Sequence, residues 1–413
     1  MGWGYPNILF GQPHRYSPKT QIHTPRSLAT DSTITKIVRR LSLKFSLARV
    51  RSTWSFLHIP PVVLLAFIIG VILRLYLAGA FYGNNDQKSY EIVASIMRHG
   101  GNVYAETTRY NYSPVWSYIL YGLSFLPFPF HLSVRGFLTL IDLINAVLLG
   151  KVAGLIRPGS AEIASTIYIL NPVSILLVGF HGQFETLAVL PLLVALFLSY
   201  KYSHLSNYWI WILGTSSMLI KHITLPGIWL LYVYTSRTKL KAFHLLFGSI
   251  LLFLASFLPY LPEGRQNILE RVFLYTSKTG VYGLSSLLPI FIVYLLFAGI
   301  MVVMPYIAKE LLHLPLYAGM TFSFVVFLFL TPGIANQYFL LPVIFACLEV
   351  GAWFVIYQFF TTIFLLGSNS GVDIPYIPAL WNTVWFATLG WTLGYFVNLK
   401  PAVRGFLEHI AKN

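Results

Sequence analysis

PVWSYILYGLSFLPFPFHL, residues 114–132, reads at first as one more membrane span, but Pro127 and Pro129 fall inside it. Counted as a span, it turns Arg157 and Lys201 outward, against the bias that keeps basic residues on the cytoplasmic side. Laid along the outer surface as a helix, it restores that bias. The rest of the chain takes its sidedness from this choice. Of 413 residues, 56% are hydrophobic and 10% charged, where a soluble domain carries about 25% charged residues; the mean hydropathy is +0.69. Only helices and closed barrels satisfy their backbone in hydrocarbon. The apolar runs are continuous rather than alternating, which predicts an all-α polytopic transmembrane bundle. At about 20 residues per pass the length allows roughly ten to twelve spans, with surface helices in the first extracytoplasmic loop.

Residues 1–57 hold nine of the 28 basic residues and one acid, Asp31. This is the flank expected of a cytoplasmic N-terminus and can also touch anionic lipid. The net charge of +15 therefore points to membrane lipids rather than to nucleic acid. Residues 1–30 read as a disordered tail and Ile34–Leu57 as an amphipathic surface helix. The apolar segment from 59 is too long for a cleaved signal peptide. The predicted organisation is a tail at 1–57, a transmembrane domain at 58–400 and a short cytoplasmic C-terminus at 401–413. Successive spans read as 59–80, 136–156, 161–180, 186–200, 207–220, 223–235, 243–261, 284–305 and 312–331. Two short spans meeting near Gly351 and a final span at 380–397 complete the set. This map puts 19 basic residues at the cytoplasmic side and nine at the outer side. No internal repeat is visible, and the single Cys347 excludes an internal disulfide or a cysteine metal site.

The informative residues are the polar ones on the outer side. The first outer loop runs Gly83-Asn84-Asn85-Asp86-Gln87-Lys88-Ser89-Tyr90-Glu91 and later Arg109-Tyr110-Asn111-Tyr112-Ser113-Pro114. Asp86 fits two roles, a turn or helix cap and a general base for a hydroxyl proton. The second connection, His181-Gly182-Gln183-Phe184-Glu185, suits sugar recognition or a plain interfacial turn; on one helix His181 and Glu185 would share a face. Lys221 and His222 follow, then Arg265, Arg271 and Tyr282 in a loop at 262–283, then Gln337 and Tyr338 in the turn Thr331–Tyr338. Cations placed outside, against the charge bias, suit an anionic partner such as a phosphate, or snorkel to the interface. Arg74, Asp142 and Glu349 sit at membrane depth, where ionisable groups are functional candidates.

The acid after the first span, the Tyr-x-Tyr-x-Pro segment, Asn171-Pro172, His-Gly-Gln-Phe-Glu and the late Gln337-Tyr338 together resemble the GT-C superfamily of membrane glycosyltransferases. The closest likeness, over residues 59–345, is to the polyprenyl-phosphate-sugar-dependent mannosyl- and glucosyltransferases. The resemblance implies inverting transfer of a hexose, mannose foremost, from a polyprenyl-phosphate-sugar donor to a glycan or glycolipid acceptor on the extracytoplasmic face. Asp86 matches the first-loop acid that acts as base, and Glu185 an acid in the second loop. Asn85, Tyr90, Arg109, Tyr112, His181, Gln183, Lys221, His222, Arg265, Arg271, Tyr282, Gln337 and Tyr338 are the expected substrate-binding set. Asn-Asn-Asp stands where the family often has Asp-x-Asp, so a divalent metal stays open as a cofactor but has no paired-carboxylate motif to support it. A bacterial or archaeal plasma membrane is the expected setting. The rival reading is a transporter or lipid-glycan flippase, which predicts matched half-repeats and a midplane site.

Overall fold

The computed structural model describes residues 60–202, 206–275, 277–369 and 377–397. The tail at 1–57, the surface helix expected at 34–57 and the C-terminus at 401–413 lie outside the described residues. Prolines set where several helices begin, because a fixed φ suits the first turn and the missing N–H would be unpaired there in any case. Pro60 and Pro61 start α1 (Pro61–Ala80). Asn84 caps α2 (Asn85–Arg98) with its side chain, and Pro114 opens α3 (Pro114–Leu123).

The pivotal stretch therefore divides. Its helix stops at Leu123, and Pro129 precedes a new helix, α4 (Phe130–Ile156). The last residues of 114–132 belong to α4, which starts six residues before the expected 136. A one-turn helix (Val103–Glu106) interrupts the first loop.

After α5 (Ala161–Ile169) the chain bends by 43° and continues as Pro172–Phe180. The cause is local, since Pro172 lacks an N–H and Asn171 Oδ1 caps the new turn by accepting from the Val173 and Ser174 amides. Then follow α6 (Glu185–Lys201), α7 (Asn207–Ile220), α8 (Leu225–Thr235) and α9 (Lys239–Ala255). The 262–283 segment is helical as far as Phe273 rather than a loop throughout. The remaining helices are α10 (Ile290–Tyr306), α11 (Leu316–Leu330), α12 (Leu340–Ala346), α13 (Ala352–Asn369) and α14 (Ile377–Val397). Among the described residues the strands are a two-residue pair, β1 (Lys278–Thr279) antiparallel to β2 (Gly333–Ile334), with Lys278 opposite Ile334.

Among the described residues four helical segments are long and apolar enough to cross a membrane, or five if the bent pair counts as one. Val62, Leu65 and Ile72 of α1 and Phe291 and Leu295 of α10 are exposed, an apolar surface that a water-soluble protein would cover. Four expected spans are short, since α6 has 17 residues, α7 14, α8 11 and α11 15, below the length of about 20 that a crossing needs. The break expected near Gly351 is present, between α12 and α13.

Two of the ionisable residues singled out at membrane depth answer each other. Arg74 and Asp142 form an ion pair, both fully buried, with Arg74 Nε donating to Asp142 Oδ2 at 2.9 Å. Arg74 also donates to the Gly70 and Ile169 carbonyls and to the Ser174 hydroxyl. Asp142 accepts from Tyr168, Ser174 and Thr186. A buried charge pair contributes little net stability, but stripping one partner leaves a bare charge. We expect Asp142→Ala to cost about 3–5 kcal/mol in unfolding of the purified protein. Arg74→Met/Asp142→Leu, which removes both charges, should lose distinctly less.

Candidate functional site

The ends of α1 and of the bent segment meet through one side chain. Arg135, fully buried on α4, donates from Nη2 to the Phe81 and Tyr82 carbonyls at 2.8 and 3.1 Å. From Nη1 it donates to those of Gly179 and Phe180, both at 3.2 Å. The two polar turns that follow, 82–87 and 181–185, are thereby set side by side. Gly182 is at φ +63, and a Cβ there would stand 2.0 Å from Gln87 Nε2, so contact between the turns requires glycine.

Asn84, and not Asp86, caps α2; its Oδ1 accepts from the Asp86 amide. The Asp86 carboxylate is left for other partners. Its Oδ2 accepts from Gln183 Nε2 at 2.6 Å and from Asn84 Nδ2 at 3.2 Å. Asn84 Nδ2 also lies 3.2 Å from His181 Nδ1. Burial holds the His181 pKa down at about 4, so the ring is neutral and Nδ1 accepts this bond. His181 and Glu185 do not share a helical face, because residues 182–184 form a turn and Glu185 begins α6. His181 reaches back to Asn84, whereas Glu185 pairs with Lys221 at 2.5 Å. The Lys221 ammonium also lies over the Phe184 and Tyr112 rings, 4.1 and 4.8 Å from their centres. Glu185 Oε2 is buried with no hydrogen-bond partner.

Asp86 opens onto a cavity of about 220 Å³ that it shares with Tyr90, Arg109, Tyr112, Arg271 and Gln337. The wall is assembled by bonds between distant segments. Asn102 Nδ2 donates to the Tyr260 carbonyl and Asn267 Nδ2 to that of Tyr104, binding the first loop to the 261–273 helix that carries Arg271. Tyr104 donates to the Tyr112 carbonyl. The β1–β2 pair and the Ser277–Tyr338 hydroxyl contact at 3.0 Å bring in the turn that bears Gln337. Arg109 and Arg271 are absent from the ion pairs among the described residues, which are Arg74–Asp142, Lys221–Glu185 and Lys239–Glu310.

Six of the expected residues thus share one wall, and His181, Gln183, Glu185 and Lys221 stand directly behind it. The others lie elsewhere. Asn85 and Arg265 are exposed, and Tyr282 is buried against Phe339 and Trp381. Tyr338 supports the turn, and His222 packs on Phe253 beside a separate apolar cavity of about 300 Å³. Sequence reasoning passed over Arg135, whose signal was a basic residue inside an apolar run, and assigned no role to the lining residues Ser89, Thr108, Asn111 and Tyr275. Among the described residues no three His, Cys, Asp or Glu side chains converge as metal ligands would. No family model matches the chain, and no curated protein or solved structure matches it either.

The histidine gives a pH test. With its folded pKa below the ordinary value of about 6.5, neutral His181 contributes stability that is complete above that value and is lost as pH falls towards 4. We expect the unfolding temperature of the wild type to fall more between pH 7 and pH 4.5 than that of His181→Asn, which keeps an acceptor for Asn84 but no titrating ring. Equal falls would place the acid sensitivity elsewhere.

Proposed function

We propose that this protein is a multi-pass membrane glycosyltransferase that moves a hexose from a polyprenyl-phosphate donor to a glycan or glycolipid hydroxyl. The site lies at the outer interface and the basic N-terminus is cytoplasmic. The observation that carries the reading is the shared cavity, where one carboxylate and two guanidiniums that join no ion pair among the described residues stand among aromatic and amide side chains drawn from four segments. A sugar phosphate needs such a set, with cations for the phosphate, an aromatic face for the pyranose, and a base for the incoming hydroxyl.

In this mechanism the acceptor oxygen attacks the anomeric carbon from the face opposite the phosphate, and Asp86 takes its proton. The bond from that carbon to the phosphate oxygen breaks, polyprenyl phosphate leaves with the electron pair, and the configuration inverts. Gln183 and Asn84 both hold Oδ2 of Asp86, which leaves Oδ1 for the acceptor. Arg109 and Arg271 stabilise the charge that develops on the leaving phosphate. Lys221, paired with Glu185 and lying against the adjoining rings of Phe184 and Tyr112, holds Tyr112 in place rather than touching phosphate.

The decisive assay supplies polyprenyl-phosphate mannose and glucose to the purified protein in bilayers with a lipid-linked glycan acceptor, and follows released lipid phosphate. We expect Asp86→Asn to lower kcat by about 10²–10⁴-fold with an unchanged unfolding temperature. Full transfer by Asp86→Asn would remove the base assignment, and no release from any such donor by the wild type would remove the donor class. Arg271→Met should raise the KM for donor by roughly tenfold or more while leaving binding of free acceptor unaltered.

A further inference from the structure

A second cavity, of about 530 Å³, lies between the α12–α13 junction and the end of α14, lined by Glu349, Trp353, Trp391 and Tyr395 among others. It is remote from the Asp86 site. Its neighbour Arg157 follows the last residue of α4, and Arg135, beside the polar turns, is 22 positions earlier; at 1.5 Å per residue the separation is about 33 Å.

The wall is built. Trp353 lies on the backbone of α14, where a Cβ at Gly390 would stand 2.3 Å from its ring and one at Gly394 3.0 Å. The two glycines form the notch that seats this indole. Trp391 is fixed by ring contacts to Phe354 and Tyr357. Among the described residues Glu349 takes part in none of the ion pairs and in no side-chain hydrogen bond. Partial burial raises its pKa, and Arg157, acting from beyond ion-pair distance, pulls it the other way. Glu349 lies in the turn between α12 and α13.

We propose that this cavity binds an organic ammonium group, with Glu349 as its counter-charge and Trp353, Trp391 and Tyr395 as its aromatic walls. The chemistry selects this class. A hard metal cation wants six or more oxygen ligands, or several with water, and here a lone carboxylate sits among carbon. An anion would meet the Glu349 charge, which is exposed to the cavity mouth, and a purely apolar ligand would cover that charge without compensating it. A soft, weakly hydrated ammonium gains from the ring faces and from the carboxylate together. Rings seated before binding lose little freedom when the ligand arrives. The same ammonium chemistry is offered by a choline-type lipid headgroup and by a free alkylammonium.

Saturation-transfer NMR of tetramethylammonium chloride with the protein in phosphatidylglycerol nanodiscs tests this. We expect saturable binding that sodium chloride at equal ionic strength does not abolish. Glu349→Gln should weaken it by about tenfold or more without moving the unfolding temperature, and Gly390→Leu, which unseats Trp353, should weaken it likewise. If phosphatidylcholine added to the nanodisc displaces the probe, the ligand is a headgroup; if it does not, the ligand is a free amine. No saturable binding by the wild type, or equal binding by Glu349→Gln, overturns the proposal. Should Gly390→Leu fail to fold, the near-isosteric Glu349→Gln decides alone.

Discussion

One guanidinium holds the polar end of this molecule together. Arg135 donates to four carbonyls at the ends of two helical segments that lie nearly a hundred residues apart in the chain, and to the His131 carbonyl on its own helix. Carbonyls at a helix end have no partners within the helix and carry partial negative charge, so a buried cation is stabilised there without a carboxylate. Because the same side chain serves both ends, the turns that begin at Tyr82 and His181 come together. Asp86, Gln183 and His181 can meet only as a result.

The buried charges fall into two kinds. Arg74 and Asp142 satisfy each other and also draw in hydroxyls and carbonyls from the bent segment and from α6, with Thr186 tying the network to the turn just before it. That cluster is closed, and nothing in it is left to bind a ligand. Glu185 and Lys221 pair as tightly, yet one carboxylate oxygen is left without a partner, and the ammonium supports Tyr112 through its ring. Arg109 and Arg271 stand further out, in the cavity wall and outside the ion pairs among the described residues. From the interior to the cavity, ionic groups pass from fully compensated to open.

Some of this was legible in residue order. The helical class follows from long apolar runs with few charges, and the helix starts follow from prolines at 60–61, 114, 129, 289 and 315. The polar strings at 83–91, 109–114 and 181–185 stood out because nothing else in the chain resembles them. Their separate roles were not legible. The cap of α2 passed from Asp86 to Asn84 because an Asn side chain two residues earlier reaches the Asp86 amide. His181 and Glu185 parted because Gly182 adopts a left-handed conformation that ends the helical register between them.

By itself the sequence determined an apolar helical chain, a basic N-terminal segment and the identity of most of the polar groups that line the Asp86 cavity. Each depends on composition or on spacing within a few residues. Only the tertiary structure decided which of those groups meet. It paired Arg74 with Asp142 rather than with a ligand, set Glu185 against Lys221, and excluded Arg265, Tyr282 and His222 from the wall while admitting Arg271 and Gln337. It also placed Glu349 in a second cavity. The reason is that these contacts join residues tens to hundreds of positions apart, and their geometry is set by helix packing and by the carbonyls that a single arginine gathers. No local pattern in the chain encodes that distance.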